Sequence, residues 1–513
     1  MKTLLRAAAA LLILLVPALA ALQSTQGADE DPVGDFKRYF RKYKDTPTRV
    51  EAVLSLSGCE SPGVVEVLAP LFSEAEPEVG IAAARVLGGF KTRPPVDQLV
   101  LTLSTSGDPA VKQGLLRALA QAHYENVKDG ILPLLQDRSW EVRRRAVQAL
   151  AATGEPGVAE LLVPLCQESE VAVRCAAIEG LVQLKSELVL APARTDLSDD
   201  SWQVRATAIA ALGRVRHTDS VGPLIERMAL EEGRLREDIG VALKNLTGRD
   251  LGTRVDAWQQ FWKTVQGRYQ IPTDEELAKL RAVQAERAAE YQRVQNTVAY
   301  HGVETPSQSL VFVIDVSGSM EQDVVDKARF AGQEFPSWKR IDVIKTELIR
   351  TLRTLDANTR FNVIAFATDV MPWKKGPVKA NPLNKSSAEA WVSRLEAIGG
   401  SSKEDLASVG LVASANLEGG KTNSYGALMT ALGAVEGKES RDYEVDVDTI
   451  FFLSDGRPSH GRFVEPDDVL REIRAANELR KVTIHTITLG EFEKDFMRRL
   501  AEENGGTFVD LGH

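Results

Sequence analysis

Cysteine is nearly absent, with Cys59, Cys166 and Cys175 the three thiols in 513 residues. So few exclude a disulfide framework and a thiolate metal site. Cys166 and Cys175 either pair across a short helical hairpin or sit as small apolar core residues. Histidine is also scarce, at six residues, and the His-Glu-x-x-His and Gly-x-Ser-x-Gly patterns of metallopeptidases and serine hydrolases are missing. Basic side chains number 62 against 72 acidic ones, a formal net charge of −10, which argues against nucleic acid as the main partner. Apolar runs of membrane-spanning length are lacking too.

The one notable apolar run opens the chain. Met-Lys-Thr-Leu-Leu-Arg leads into apolar residues 7 to 16, followed by Pro17, Ala18, Leu19 and Ala20. A basic start, a short apolar stretch and an Ala-x-Ala ending make a secretory signal cleaved after Ala20. The expectation is an exported protein, periplasmic or extracellular, with cell-surface association as an option and no integral membrane span after cleavage.

Internal repetition dominates the next two hundred or so residues. Leu56, Leu87, Leu119, Leu150, Leu181, Leu212 and Leu243 recur every 31 or 32 residues. Each unit holds two short apolar-periodic segments, and neither could bury its apolar face alone, so the units should stack as a solenoid. Proline-leucine pairs at Pro70, Pro133 and Pro164 end the first segments, and small residues such as Ala146, Ala177 and Ala208 allow close packing in the second. Arg143, Arg174, Arg205 and Arg236 form a ladder at intervals of 31. It either faces a ligand or, as favoured here, ties each repeat to a carboxylate or helix-end carbonyl of the next. Trp140 and Trp202 are expected to pack between repeats, and Trp258, Phe261 and Trp262 to close the last apolar face. Val-Arg at the start of the second helix and the repeat length resemble HEAT-like repeats of the short bacterial type.

The predicted organisation is a signal peptide over 1–20, a flexible lead-in over 21–34, a HEAT-like helical solenoid over 35–265, and a helical spacer and linker over 266–307. The last begins with a capping box, Thr273 and Glu276. Residues 308–513 alternate strands (309–315, 361–367, 448–454, 482–488, 506–510) with helices (near 341–355, 386–397, 424–435, 466–479, 492–503). That alternation calls for a parallel-rich sheet covered by helices, with ligands gathered beyond the carboxyl ends of the strands.

The chemistry concentrates there. Residues 310 to 314, Leu-Val-Phe-Val-Ile, read as a strand buried on both faces, and they run into Asp315, Val316, Ser317, Gly318 and Ser319. On a turn, the carboxylate and two hydroxyls of this D-x-S-x-S series can converge, and hard oxygen donors suit Mg²⁺, Mn²⁺ or Ca²⁺. Thr422 lies in a loop before a helix, and Asp455 ends a second buried strand, Thr-Ile-Phe-Phe-Leu-Ser-Asp-Gly. His460, shortly beyond, is the nearest candidate base, in a setting that favours a surface role. The run Gly419-Gly420-Lys421-Thr422 lacks the upstream glycine spacing of a phosphate loop.

Taken together, these residues resemble the von Willebrand factor type A (VWA) domain and its metal-ion-dependent adhesion site, in which a D-x-S-x-S series is followed by a Thr and by a strand-end Asp before Gly. The resemblance covers residues 308 to 513. It implies a mixed chain, an all-α solenoid followed by a Rossmann-like α/β domain, with Asp315, Ser317, Ser319, Thr422 and Asp455 as metal ligands, direct or through water. It also implies Mg²⁺, with Mn²⁺ or Ca²⁺ as alternatives, and a protein partner whose Asp or Glu completes the shell. The solenoid would offer a second protein surface. The expected function is metal-dependent protein binding in adhesion or envelope assembly, without enzymatic activity. The alternatives are an architectural protein with a structural metal and a metal-assisted hydrolase. Residues 321 to 340, a long polar stretch, could overhang the metal.

Overall fold

A computed structural model describes residues 31–511 apart from 75, 123, 274, 281–297, 301–302, 326, 328–333, 399–419, 434–444, 456 and 491–493. The expected signal peptide, most of the expected spacer helix and part of the polar stretch lie outside the described residues. The spacer's capping box lies within them: Thr273 N–H donates to Glu276 Oε2 at 2.8 Å and Glu276 N–H to Thr273 Oγ1 at 3.3 Å. The chain divides into two compact units, residues 1–133 and 134–513.

The first unit is helical in its described residues, with helices at Pro32–Tyr39, Thr46–Leu54, Pro62–Leu68, Pro77–Leu87, Arg93–Thr105 and Pro109–Ala122. Proline opens several of them, where its missing N–H costs nothing, and Asp31 and Asp45 cap the first two through Gly34 and Thr48 N–H. Pro70 falls at the end of a first-segment helix, and the chain tightens there into the 3₁₀ turn Ala69–Ser73. The turn follows from the hydrogen bond that proline cannot donate. Gly114 is a packing requirement: a Cβ there would lie 2.2 Å from the Phe72 ring.

In the second unit the repeats continue through Trp140–Thr153, Val171–Gln183, Trp202–Arg214 and Gly233–Thr247, with shorter helices between them, and end at Val255–Val265. All seven periodic leucines are buried. The ladder arginines each reach back to a carbonyl before their own helix, and three of them also reach forward. Arg143 Nε lies 3.2 Å from Glu168 Oε2, while its Nη1 donates to Asp137 O. Arg174 pairs with Asp199 at 2.9 Å and donates to Glu168 O, and Arg205 pairs with Glu231 at 2.7 Å and donates to Asp199 O. Arg236 donates to Glu231 O at 2.6 Å. The ladder is structural. Trp258 is fully buried at the last repeat, its indole N–H on Gly252 O. Cys166 and Cys175 are buried and unbridged, and burial pushes the Cys166 thiol up to about 12.

The α/β part opens with a short antiparallel pair, β1 (Val298–Tyr300) and β2 (Val303–Thr305). The main sheet contains β3 (Ser309–Asp315), β4 (Arg360–Phe366), β5 (Val370–Pro372), β6 (Val378–Lys379), β7 (Thr449–Leu453), β8 (Thr483–Thr488) and β9 (Phe508–Asp510). Its order is β5-β4-β3-β7-β8-β9, with β6 also on β4. The pairs from β4 through β3, β7 and β8 to β9 are parallel, whereas β5 and β6 add antiparallel edges that the strand predictions did not include. Every residue of β3 is buried. Leu310, Phe312 and Ile314 share a core with Ile344 and Leu348 of the helix Arg340–Thr354, and by strand alternation Val311 and Val313 serve the opposite face.

The repeats of the second unit dock on the amino ends of this sheet. Arg144, almost fully buried, donates to Glu478 Oε2 at 2.6 Å, and Gln148 donates to the other oxygen. Arg234 donates to Asp448 O at 3.0 Å and to Lys481 O, just before β7 and β8. Trp202, expected to pack between repeats, lies under the Arg234 guanidinium of the next repeat and also directs its indole N–H to Val445 O at 3.3 Å. Lys481 ends the helix Pro466–Arg480 in the left-handed region, φ 57°, a position usually given to glycine. Its side chain is used for an ion pair with Glu179.

Glu231 is the ladder's tightest junction, since Arg205 and Arg227 both pair with Oε1 at 2.7 and 2.6 Å. Glu231→Ala should therefore destabilise the second unit by about 2–4 kcal/mol, measured as a lower denaturant midpoint. A shift below about 0.5 kcal/mol, the size of an ordinary surface substitution, would contradict that role.

Candidate functional site

Three loops meet beyond the carboxyl ends of β3, β4 and β7. The backbone continues from β3 with Val316 N–H on Phe366 O at 2.8 Å. It then turns through Ser317, which precedes the 3₁₀ turn Gly318–Glu321. Asp315 is fully buried and accepts twice, from Ser317 N–H at 2.8 Å and from the Ser454 hydroxyl at 2.5 Å. The Ser317 and Ser319 hydroxyls lie 3.2 Å apart, and Ser319 donates to Asp455 Oδ1 at 2.7 Å. Asp315, Ser317, Ser319 and Asp455 thus form one hydrogen-bonded cluster spanning two strands.

Thr422 is held nearby by its backbone. Its N–H donates to Ser459 Oγ at 3.0 Å, and its carbonyl accepts from Ser459 and His460 N–H at 2.9 and 3.2 Å. Gly318 N–H donates to Gly420 O at 3.3 Å, which joins this loop to the one after β3. Asn423 anchors the segment to Ala367 O and caps the helix Ser424–Ala431 through Gly426 N–H. His460 therefore meets the Thr422 loop through its backbone.

Two further participants escaped the sequence reading. Ser454 could have been suspected from its place beside Asp455, because parallel pairing sets the ends of adjacent strands side by side. Arg340 carried no signal. It opens the helix Arg340–Thr354, its side chain is 7% exposed, and its guanidinium pairs with Asp455 Oδ2.

The electrostatics leave room for a cation, because Arg340 offsets only one of the two carboxylates. Burial, reinforced by the Asp455 charge, pushes the Asp315 carboxyl up to about 7. Two carboxylates held together away from water resist joint ionisation unless positive charge joins them. Among the described residues no group of three His, Cys, Asp or Glu side chains is placed to hold a metal. A cation here would depend on the serine hydroxyls beside Asp315 and Asp455, with Thr422 on the adjoining loop. The donors are all oxygen, which fits Mg²⁺, Mn²⁺ or Ca²⁺ and not zinc.

The molecule is thus a helical-repeat protein bearing a parallel-sheet α/β domain with oxygen-rich loops at its strand ends. Residues 308–510 are a von Willebrand factor type A domain, and HEAT repeats match residues 96–173 and 167–244. Relatives include human inter-alpha-trypsin inhibitor heavy chain H4, 28% identical over 40% of this chain and 18% of its own length. Human heavy chain H6 is 29% identical over 40% of this chain and 13% of its own. The match therefore spans less than a fifth of these curated relatives. Among solved structures, an aerotolerance-related membrane protein from Bacteroides fragilis aligns with 39% of this chain and 90% of its own, at 14% identity and a TM-score of 0.25.

The raised Asp315 value has a definite sign. Its proton is held more tightly in the folded chain than in the unfolded one, whose value is 3.8. The stabilisation is complete below that value and is lost as pH rises to about 7. In chelator, the difference in melting temperature between the wild type and Asp315→Asn should shift steadily between pH 4 and about 7. A pH-independent difference would contradict the shift.

Proposed function

We propose that this protein is an exported protein-binding module whose VWA domain takes a divalent cation, Mg²⁺ first with Mn²⁺ or Ca²⁺ as alternatives. The ligands would be Asp315, Ser317, Ser319, Thr422 and Asp455. The observation that carries this reading is the chain of contacts from Asp315 through Ser317 and Ser319 to Asp455, assembled at the ends of two buried parallel strands. When bound, the cation supplies positive charge and an open coordination position to an anionic group. The chain's own residues do the rest. Asp315 and Asp455 hold the charge, the two serines orient oxygen toward it, and Thr422 brings a hydroxyl from a separate loop. A partner's Asp or Glu side chain would complete the shell.

Binding is favoured over metal-assisted hydrolysis because the sequence carries neither the His-Glu-x-x-His nor the Gly-x-Ser-x-Gly pattern. The relatives agree with a role in assembly, being named as heavy chains of an inhibitor. Export rests on the N-terminal pattern alone. Repeats gripping the amino ends of the sheet would leave the carboxyl-end loops to the partner, with other repeat faces as a second surface.

Calorimetric titration of Mg²⁺ and Mn²⁺ into chelator-treated full-length protein tests the site. Asp315→Ala and Asp455→Ala should each weaken binding by more than about 100-fold while the helical circular dichroism persists. Unchanged affinity in both variants would falsify the ligand assignment. Thr422→Ala should weaken cation binding less than either, and should weaken capture of an acidic partner more than it weakens the cation.

A further inference from the structure

Arg340 is the unexpected member of the cluster. It reaches Asp455 because the polar stretch before it closes at its base. Asp323 and Lys339 form an antiparallel bridge, Val324 N–H donates to Trp338 O at 2.9 Å, and Arg340 N–H donates to Gln322 O at 2.8 Å. Val324 is buried and Phe335 and Trp338 pack against the domain core, so both ends of the stretch are anchored. Its described ends thus deliver one guanidinium to the strand-end cluster. Gly490 leaves the space: a Cβ there would stand 2.9 Å from Asp455 O and 3.6 Å from Arg340 Nη1.

The placement sets the charge of the site. Asp455 divides its two oxygens, Oδ1 toward Ser319 and Oδ2 toward Arg340. Without the arginine, two ionised carboxylates would match a divalent cation, and the filled site would be neutral. With it, one positive charge remains after the cation binds. A fixed guanidinium also repels an incoming cation across a few ångströms of poorly solvated protein, where such repulsion is weakly screened.

We infer that Arg340 is the residue that sets cation affinity at this site: it weakens Mg²⁺ binding by the protein alone and leaves the filled site net positive, poised for an anionic ligand. This rests on the proposed metal reading. Arg340 is a positioning and charge-setting residue acting through Asp455, and it is not itself a ligand.

The experiment is Mg²⁺ calorimetry and thermal unfolding of the full chain, at fixed ionic strength, for wild type, Arg340→Gln and Arg340→Lys. Arg340→Gln removes the charge and should bind Mg²⁺ at least about tenfold more tightly. Arg340→Lys keeps the charge and should stay within about threefold of wild type. In chelator Arg340→Gln should melt below wild type, having lost its internal counter-ion, and Mg²⁺ should raise its melting temperature by more than it raises that of wild type. If Arg340→Gln is unfolded in chelator, refolding on addition of Mg²⁺ is the expected result, and failure to refold overturns the inference. Equal or weaker Mg²⁺ binding by a folded Arg340→Gln, with normal binding by wild type, overturns it while sparing the metal site. Absence of Mg²⁺ binding in wild type and in both variants overturns the metal reading, and this inference with it.

Discussion

Parallel pairing of β3 between β4 and β7 is the constraint on which the site depends. Ile314 lies opposite Leu453 and Asp315 opposite Phe366. That register brings Asp315 beside Ser454 and sets Asp455 one residue beyond, within reach of Ser319. Side chains alternate along a strand, so a slip of one residue would turn the acidic side chain to the other face and dismantle the cluster. The register is protected by what surrounds it. Phe312 stacks on Phe451 and Phe366 on Phe452, each pair with centroids 5.5 Å apart, so each face of the pairing carries a bulky aromatic contact that a slip would break.

The repeats obey a different logic with a related outcome. Each arginine of the ladder closes the turn before its own helix, and Arg143, Arg174 and Arg205 also reach an acid of the next repeat. Adjacent units are thereby tied by charge as well as by apolar packing. Where the repeats meet the sheet, the same chemistry is used across the junction: Arg144 on Glu478, Lys481 on Glu179, Arg234 on strand-start carbonyls. Buried polar groups are expensive unless matched. A junction built from them therefore specifies one seating more sharply than apolar contact would, and it lies at the end of the sheet opposite the Asp315 cluster.

How much of this could be read beforehand depends on the range of each interaction. The periodic leucines and the buried strands are local patterns, and they gave the two architectures, with the first strand at 309–315 as expected. Asp315, Ser317 and Ser319 are two residues apart, a spacing that a turn converts directly into proximity. Thr422 and Asp455 needed the family pattern, since more than 100 residues separate them from the first group. Arg340 and the contact of Trp202 with Val445 were beyond reach, because nothing local distinguishes an arginine that opens a helix, or a tryptophan on a repeat, from one that also serves a distant element. The edge strands β5 and β6, with three and two residues, are too short to show alternation.

Charge is where the local and the global disagree, and the local prevails. The chain carries a net −10, which alone would disfavour an acidic partner. At physiological salt, charges farther than about 8 Å apart are largely screened, so most of the acidic surface has little hold on a group arriving at the strand ends. Within the hydrogen-bonded cluster the charged side chains are Asp315, Asp455 and Arg340. A cation held there would face two carboxylates whose joint charge the arginine has already halved. An incoming carboxylate would then meet a positive centre set in a negative molecule. In that arrangement cation and anionic ligand would strengthen one another by linkage, since each would relieve the imbalance the other leaves. An acidic protein can thus be selective for an acidic partner, provided that the guanidinium stays on Asp455.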